Sequence, residues 1–183
     1  MGVSDAQVTT PVHLIDTNVV WFFFEAGQKD ALKSIANVVP LAVVEEVHQE
    51  SLNHKQRGAE YRTWQASSAI AVRPLAVGGR GAACLSALRK SSNNMAGLGE
   101  DASIALAVED PSVVFVTNDK RGHWVGAREV VGAGRVLRFW AFLRRTQEAV
   151  GLQAAVIRAV VGINSLQTDQ PLWLSDWLAA LPP

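Results

Sequence analysis

Two runs of β-branched and aromatic residues in this chain each stop on a carboxylate. Pro11-Val-His-Leu-Ile15 is followed by Asp16, and Val113-Val-Phe-Val-Thr-Asn118 by Asp119. Apolar runs of this length and composition read as strands. Helical segments separate them from three shorter strand-like runs, and strands alternating with helices build a parallel sheet with helices on both faces. The predicted class is α/β, a three-layer α/β/α sandwich. In such a sheet the C-terminal strand ends border the crevice where ligands bind. Two more acidic pairs fall at positions of that kind: Glu45–Glu46 within Pro40–Val47, and Glu100–Asp101 at the opening of Gly99–Ala107. Gathered carboxylates repel and lose hydration, a cost that a divalent cation removes. The pattern reads as a magnesium or manganese site.

Periodicity and turn residues predict strands at Val12–Ile15, Val38–Val39, Ile70–Val72, Val113–Thr117 and Val136–Phe139. Helices are predicted at about Val19–Ala26, Asp30–Ala36, residues 56–68, Gly81–Lys90 and Glu100–Glu109. Another, carrying Glu45, Glu46 and Glu50, is predicted to open with Pro40 in its first turn. Asp16, Thr17 or Asn18 would cap the first helix. That helix is apolar nearly all round through Trp21, Phe22, Phe23 and Phe24, so it belongs to a core or an interface. In the tail, Leu152, Val156, Ala159, Val160 and Ile163 share one helical face, and Trp173, Leu174, Trp177 and Leu178 another.

A length of 183 residues suits one domain. The single cysteine, Cys84, excludes an internal disulfide and suits a reducing cytoplasm. No segment resembles a secretion signal, and the apolar block Val19–Phe24 is too short to span a bilayer, so no membrane partner is expected. The net charge is zero but unevenly spread. Lys120, Arg121, Arg128, Arg135, Arg138, Arg144 and Arg145 face only Glu129 between positions 120 and 145, a basic stripe able to hold phosphates.

Taken at Asp16, Glu46, Glu100 and Asp119, the acids stand 30, 54 and 19 residues apart. Only a fold can assemble such a set, because no local zinc-type spacing exists. Hard oxygen ligands without a Cys/His cluster point to magnesium or manganese rather than zinc. An ion there can polarise a phosphodiester and lower the pKa of an attacking water. His13, His48, His54 and His123 show no ligand spacing.

Ile15-Asp-Thr-Asn18, Val44-Glu-Glu-Val47, Gly99–Ala107 and Val116-Thr-Asn-Asp119 resemble the four acidic motifs of PIN-domain nucleases, in order, spacing and setting, over about residues 10–140. The resemblance implies a sheet of order 3-2-1-4-5 and metal-dependent endoribonuclease activity on single-stranded RNA, leaving 5′-phosphate ends. It implies residues 1–150 as the nuclease domain, with residues 151–183 as a helical extension packed on it. Carried over, Asp16, Glu100 and Asp119 are metal ligands, and Glu46, preferred to Glu45, completes the catalytic acids. Asn18, Thr117 and Asp101 support them, and Lys120 and Arg121 contact RNA. Many small PIN proteins are VapC-type toxins, which implies an antitoxin partner. PIN-like proteins often pair through helices, and the apolar tail face adds to the expectation of a homodimer. The rival readings are a catalytically silent RNA-binding or scaffold module and a metal-dependent DNA nuclease.

Overall fold

Five short apolar runs pair as strands: β1 (Val12–Ile15), β2 (Leu41–Val44), β3 (Ala71–Arg73), β4 (Val113–Thr117) and β5 (Val136–Arg138). The computed structural model describes residues 10–91, 97–118, 127–128, 130–163 and 170–182. All pairings are parallel and the sheet order is β3-β2-β1-β4-β5. Helices flank it in a three-layer sandwich: α1 (Thr17–Glu25) and α2 (Lys29–Ala36) after β1, α3 (Glu45–Leu52) and α4 (Gly58–Ala66) after β2, α5 (Arg80–Ser91) and α6 (Leu98–Glu109) after β3. Right-handed crossovers put the connections leading left from β1 and those leading right through β4 on opposite faces. The chain therefore reverses direction between β1 and β4, the switch point where such sheets open a crevice.

The predicted strand at Val38–Val39 is displaced to Leu41–Val44. Val38 and Val39 both donate their N–H to Ile35 O, at 3.0 and 2.8 Å, closing a turn after α2. Leu41, Ala42, Val43 and Val44 are all buried, as a strand covered on both faces requires. Pro40 accordingly precedes a strand rather than opening a helix, and its carbonyl accepts the His13 N–H at 2.8 Å. Val12–Ile15 and Val113–Thr117 form as predicted, and the other predicted boundaries move by at most two residues.

Trp21, Phe22, Phe23 and Phe24 are buried within the single chain, packed edge-on or tilted against Tyr61, Trp64 and Phe139. The first helix is core. After β5 come α7 (Phe139–Val150), α8 (Ala154–Val161) and α9 (Trp173–Ala180). Gly151, at φ +68°, ends α7 in the left-handed conformation that glycine adopts without strain. Leu152, Ile157, Val160, Val161, Leu174 and Leu181 join the same hydrophobic core as the sheet. Arg158 fastens the end of the chain by donating to Leu181 O and Pro182 O, both at 3.0 Å. Trp173 and Trp177 meet edge to face with ring centres 6.0 Å apart and are partly buried against that core. Among the described residues no helix is long and apolar enough to cross a membrane.

Candidate acidic site at the switch point

β1 delivers Asp16 to the C-terminal edge of the sheet. Its N–H still bonds Val116 O of β4 at 3.3 Å, and Ile15 is in register with Val116, so Asp16 sits beside Thr117. The next residue starts α1, and Asp16 caps that helix from an extended backbone, Oδ1 accepting the Val19 N–H at 2.8 Å. The carboxylate is completely buried, and among the described residues no donor reaches hydrogen-bond geometry at Oδ2. Burial pushes its pKa up to about 7, with the Glu100 charge pushing the same way. The Thr117 side chain and the Val19 and Asn118 amides pull in the opposite direction.

α6 brings the second pair of acids. Gly97 holds φ +85° before it, and Glu100 and Asp101 occupy the first turn, where the helix dipole favours carboxylates. A side chain at Gly99 would collide: a Cβ there would lie 2.8 Å from Val47 Cγ2, 3.2 Å from Glu50 Oε2 and 3.6 Å from Thr17 Oγ1. Glycine thus lets the starts of α1 and α6 close on α3. The two acids diverge. Glu100 acts on Asp16, whereas the buried Asp101 faces α5, where its charge adds to burial in raising the Cys84 thiol pKa.

The acids of α3 diverge as well, as neighbours about 100° apart on a helix must. Glu45 accepts from Gln49 Nε2 at 2.7 Å on an exposed flank. Glu46 is 3.8 Å from Arg89 of α5 and lines a groove along that helix. Glu50, one turn beyond Glu46, accepts the Thr17 hydroxyl at 2.8 Å and borders Gly99.

Thr117 is fully buried at the end of β4 and lies close enough to act on Asp16. Asn18 is exposed and makes no hydrogen bond to Asp16; the Val19 amide does the orienting expected of it. Asp119, Lys120, Arg121 and His123 lie outside the described residues. Sequence reading missed two groups. Asn118 is 8% exposed, and its buried Oδ1 has no hydrogen-bond partner among the described residues. Its place inside the Thr-Asn-Asp motif was the available signal. Glu50 was legible only as a residue on the same helical face as Glu46.

The basic stripe is partly spent on structure. Arg135 donates to Ala107 O at 2.6 Å, Val131 O at 2.9 Å and Asp110 O at 3.3 Å. Arg144 stands 5.5 Å from the centre of the Trp173 ring and 3.6 Å from Glu148.

Asp16 Oδ2 and Asn118 Oδ1 are buried oxygens without a hydrogen-bond donor among the described residues, and the Glu100 charge acts on the first. Among the described residues no three His, Cys, Asp or Glu side chains converge closely enough to hold an ion by themselves. No protein-family model matches the chain, and comparison with curated proteins returns no match.

Proposed function

We propose that the chain is a magnesium- or manganese-dependent endoribonuclease of the PIN type, hydrolysing phosphodiester bonds in single-stranded RNA. The observation that carries this reading is Asp16, a fully buried carboxylate at the switch point whose Oδ2 meets no donor in hydrogen-bond geometry among the described residues, with the Glu100 charge acting on it. Such a group is stable only when protonated or when a cation faces it. Asp16, Asn118 and Glu100 would hold the ion, joined by Asp119 as the motifs imply. When bound, the ion supplies an activated water and stabilises the leaving oxygen.

The chain's own part is orientation and exclusion. The Val19 amide fixes the Asp16 carboxylate, burial keeps bulk water from Oδ2, and Gly99 holds the acidic turn of α6 against α3. Glu46 stands at the mouth of the neighbouring groove, where it meets an approaching strand. A VapC-type toxin role with an antitoxin, and a cytoplasmic location, belong to the same proposal through the motifs and the lone Cys84. Pairing of two copies through α9 is supported by Leu172, 97% exposed beside the half-buried Trp173 and Trp177; sedimentation tests it.

The ion pair between Glu46 and Arg89 favours a second reading, a silent RNA-binding module in which Glu46 is structural. Cleavage of a labelled single-stranded RNA in magnesium or manganese decides between the two. The nuclease reading expects metal-dependent product, abolished by Asp16→Asn, reduced by orders of magnitude in Glu46→Gln and little changed in Glu45→Gln. RNA binding without metal-dependent cleavage selects the silent module. Saturable metal binding by calorimetry, absent in Asp16→Asn, is the independent check.

A further inference from the structure

A groove of about 560 Å³ runs along α5 beside the acidic site. Its floor is one face of that helix, positions 82, 85, 86, 89 and 90, and its walls are Glu46 and the loop of residues 75–78. The two ends differ in chemistry. α5 ends at Ser91 and α6 begins at Leu98, so Arg89 and Lys90 lie at the end of the groove that adjoins Glu100 and the acidic turn. The far end is tied to the opposite end of α6, where Glu109 Oε2 accepts the Gly81 N–H at 2.5 Å. That end is aliphatic, formed by Leu75, Val77, Ala82 and Leu85, and Val77 is fully exposed. Lys90 makes no ion pair with a described residue. The 3.8 Å pair of Arg89 with Glu46 is half exposed, a weak tie that leaves most guanidinium donors to a ligand.

Cations next to the acids and aliphatic side chains beyond them match a phosphate followed by a base. We propose that this groove seats the nucleotide flanking the cleaved bond: Arg89 and Lys90 take its phosphate, and Leu75, Val77 and Leu85 face its base. The inference rests on the nuclease reading for the identity of the strand. Only an unpaired base can leave its stack to lie against such a wall, so the groove selects single strands. Among the described residues it holds no aromatic ring to stack on and, apart from Ser86, no neutral polar side chain to read a base edge, so discrimination among bases is slight.

The test is fluorescence anisotropy of a short labelled single-stranded oligoribonucleotide. It is bound to the full chain carrying Asp16→Asn, or to the unsubstituted chain in chelator, so that nothing is cut. Arg89→Gln with Lys90→Gln should weaken binding about tenfold or more and flatten the log-affinity against log-salt slope by about one. Val77→Asp, at a fully exposed position, should weaken binding with the slope kept, and Lys55→Gln should change neither. Unchanged affinity and slope in the double variant overturn the proposal, as does equal binding of the corresponding duplex. Displacement of the strand by an acidic peptide at lower concentration than by unlabelled RNA makes the groove a protein-docking site instead. Cleavage is scored separately. Metal-dependent cleavage with groove-independent binding refutes the groove alone, and groove-dependent binding without cleavage refutes the nuclease alone.

Discussion

Thr17 donates its hydroxyl to Glu50 Oε2 at 2.8 Å, joining the first residue of α1 to the second turn of α3. Asp16 is the next residue back along the chain, so this bond steadies the backbone that carries the buried carboxylate. Gly99 of α6 packs over the same pair. Three helices therefore meet at a contact that no predicted site acid makes, and the acidic site depends on it.

Gly99→Ala should be destabilising. Its Cβ would press on Val47, which is fully buried and cannot yield, and on Glu50. Overpacking of this kind costs on the order of 1–3 kcal/mol, reduced by about 1 kcal/mol through the higher helix propensity of alanine. Urea unfolding measures the loss, and Gly134→Ala, where a Cβ meets nothing within 4 Å, is the neutral control. Equal midpoints for both variants would show that the helix contact is loose.

Stability without metal should fall as the pH rises from about 4 to about 7. Asp16 has a folded pKa of about 7 against an ordinary carboxyl value of 3.8, so in that window the folded chain keeps a proton that the unfolded chain has released. The slope is on the order of 1.4 kcal/mol per pH unit at most. Asp16→Asn should flatten it and stabilise the metal-free protein at pH 8. Magnesium or manganese should do the same for the parent, with affinity rising with pH because the ion competes with the proton. Thermal melts across this range, with and without metal, read all three; a melting temperature rising with pH would contradict the burial of Asp16.

Arg135→Gln should lower stability and leave RNA affinity alone. Its guanidinium satisfies the Ala107, Asp110 and Val131 carbonyls, and hydrogen bonds from charged groups contribute about 1.5–3 kcal/mol. Calorimetry and anisotropy on one sample separate the two effects. Weakened RNA binding at unchanged melting temperature would return this arginine to the substrate.

Truncation after Gly151 should not yield a stably folded fragment. It removes Leu152, Ile157, Val160, Val161, Leu174 and Leu181 from the shared core, and buried aliphatics of this kind contribute about 1.5–3 kcal/mol each. Loss of near-ultraviolet circular dichroism and of solubility is the expected readout. A soluble, cooperatively melting fragment would show that the tail is an accessory layer.

Much of the frame was legible because it is written in local chemistry. The apolar runs ending at Asp16 and Asn118 are strands, the acids opening α6 sit where its dipole favours them, and the implied strand order is the observed one. β2 was misplaced because Leu-Ala-Val-Val, buried on both faces, has no alternation to separate strand from helix, and Pro40 suits either context. Arg135 resembled its neighbours in the basic stripe, since nothing local shows that its guanidinium turns inward to three carbonyls. Glu50 and Asn118 were missed for the same reason. Their roles come from side chains on other elements, brought near only when β1, β4, α3 and α6 are assembled.

α6 carries Glu100 in its first turn and Glu109 in its last, one acting on Asp16 and the other holding the Gly79–Gly81 turn at the start of α5. Twelve helical residues make a rod about 18 Å long. The distance between the acidic turn and the start of α5 is thus set by one rigid spacer rather than by loops. Under the proposed reading this makes α6 a ruler: the acidic turn and the groove that would seat the neighbouring nucleotide keep a fixed separation, and lengthening α6 by one turn should shift one against the other.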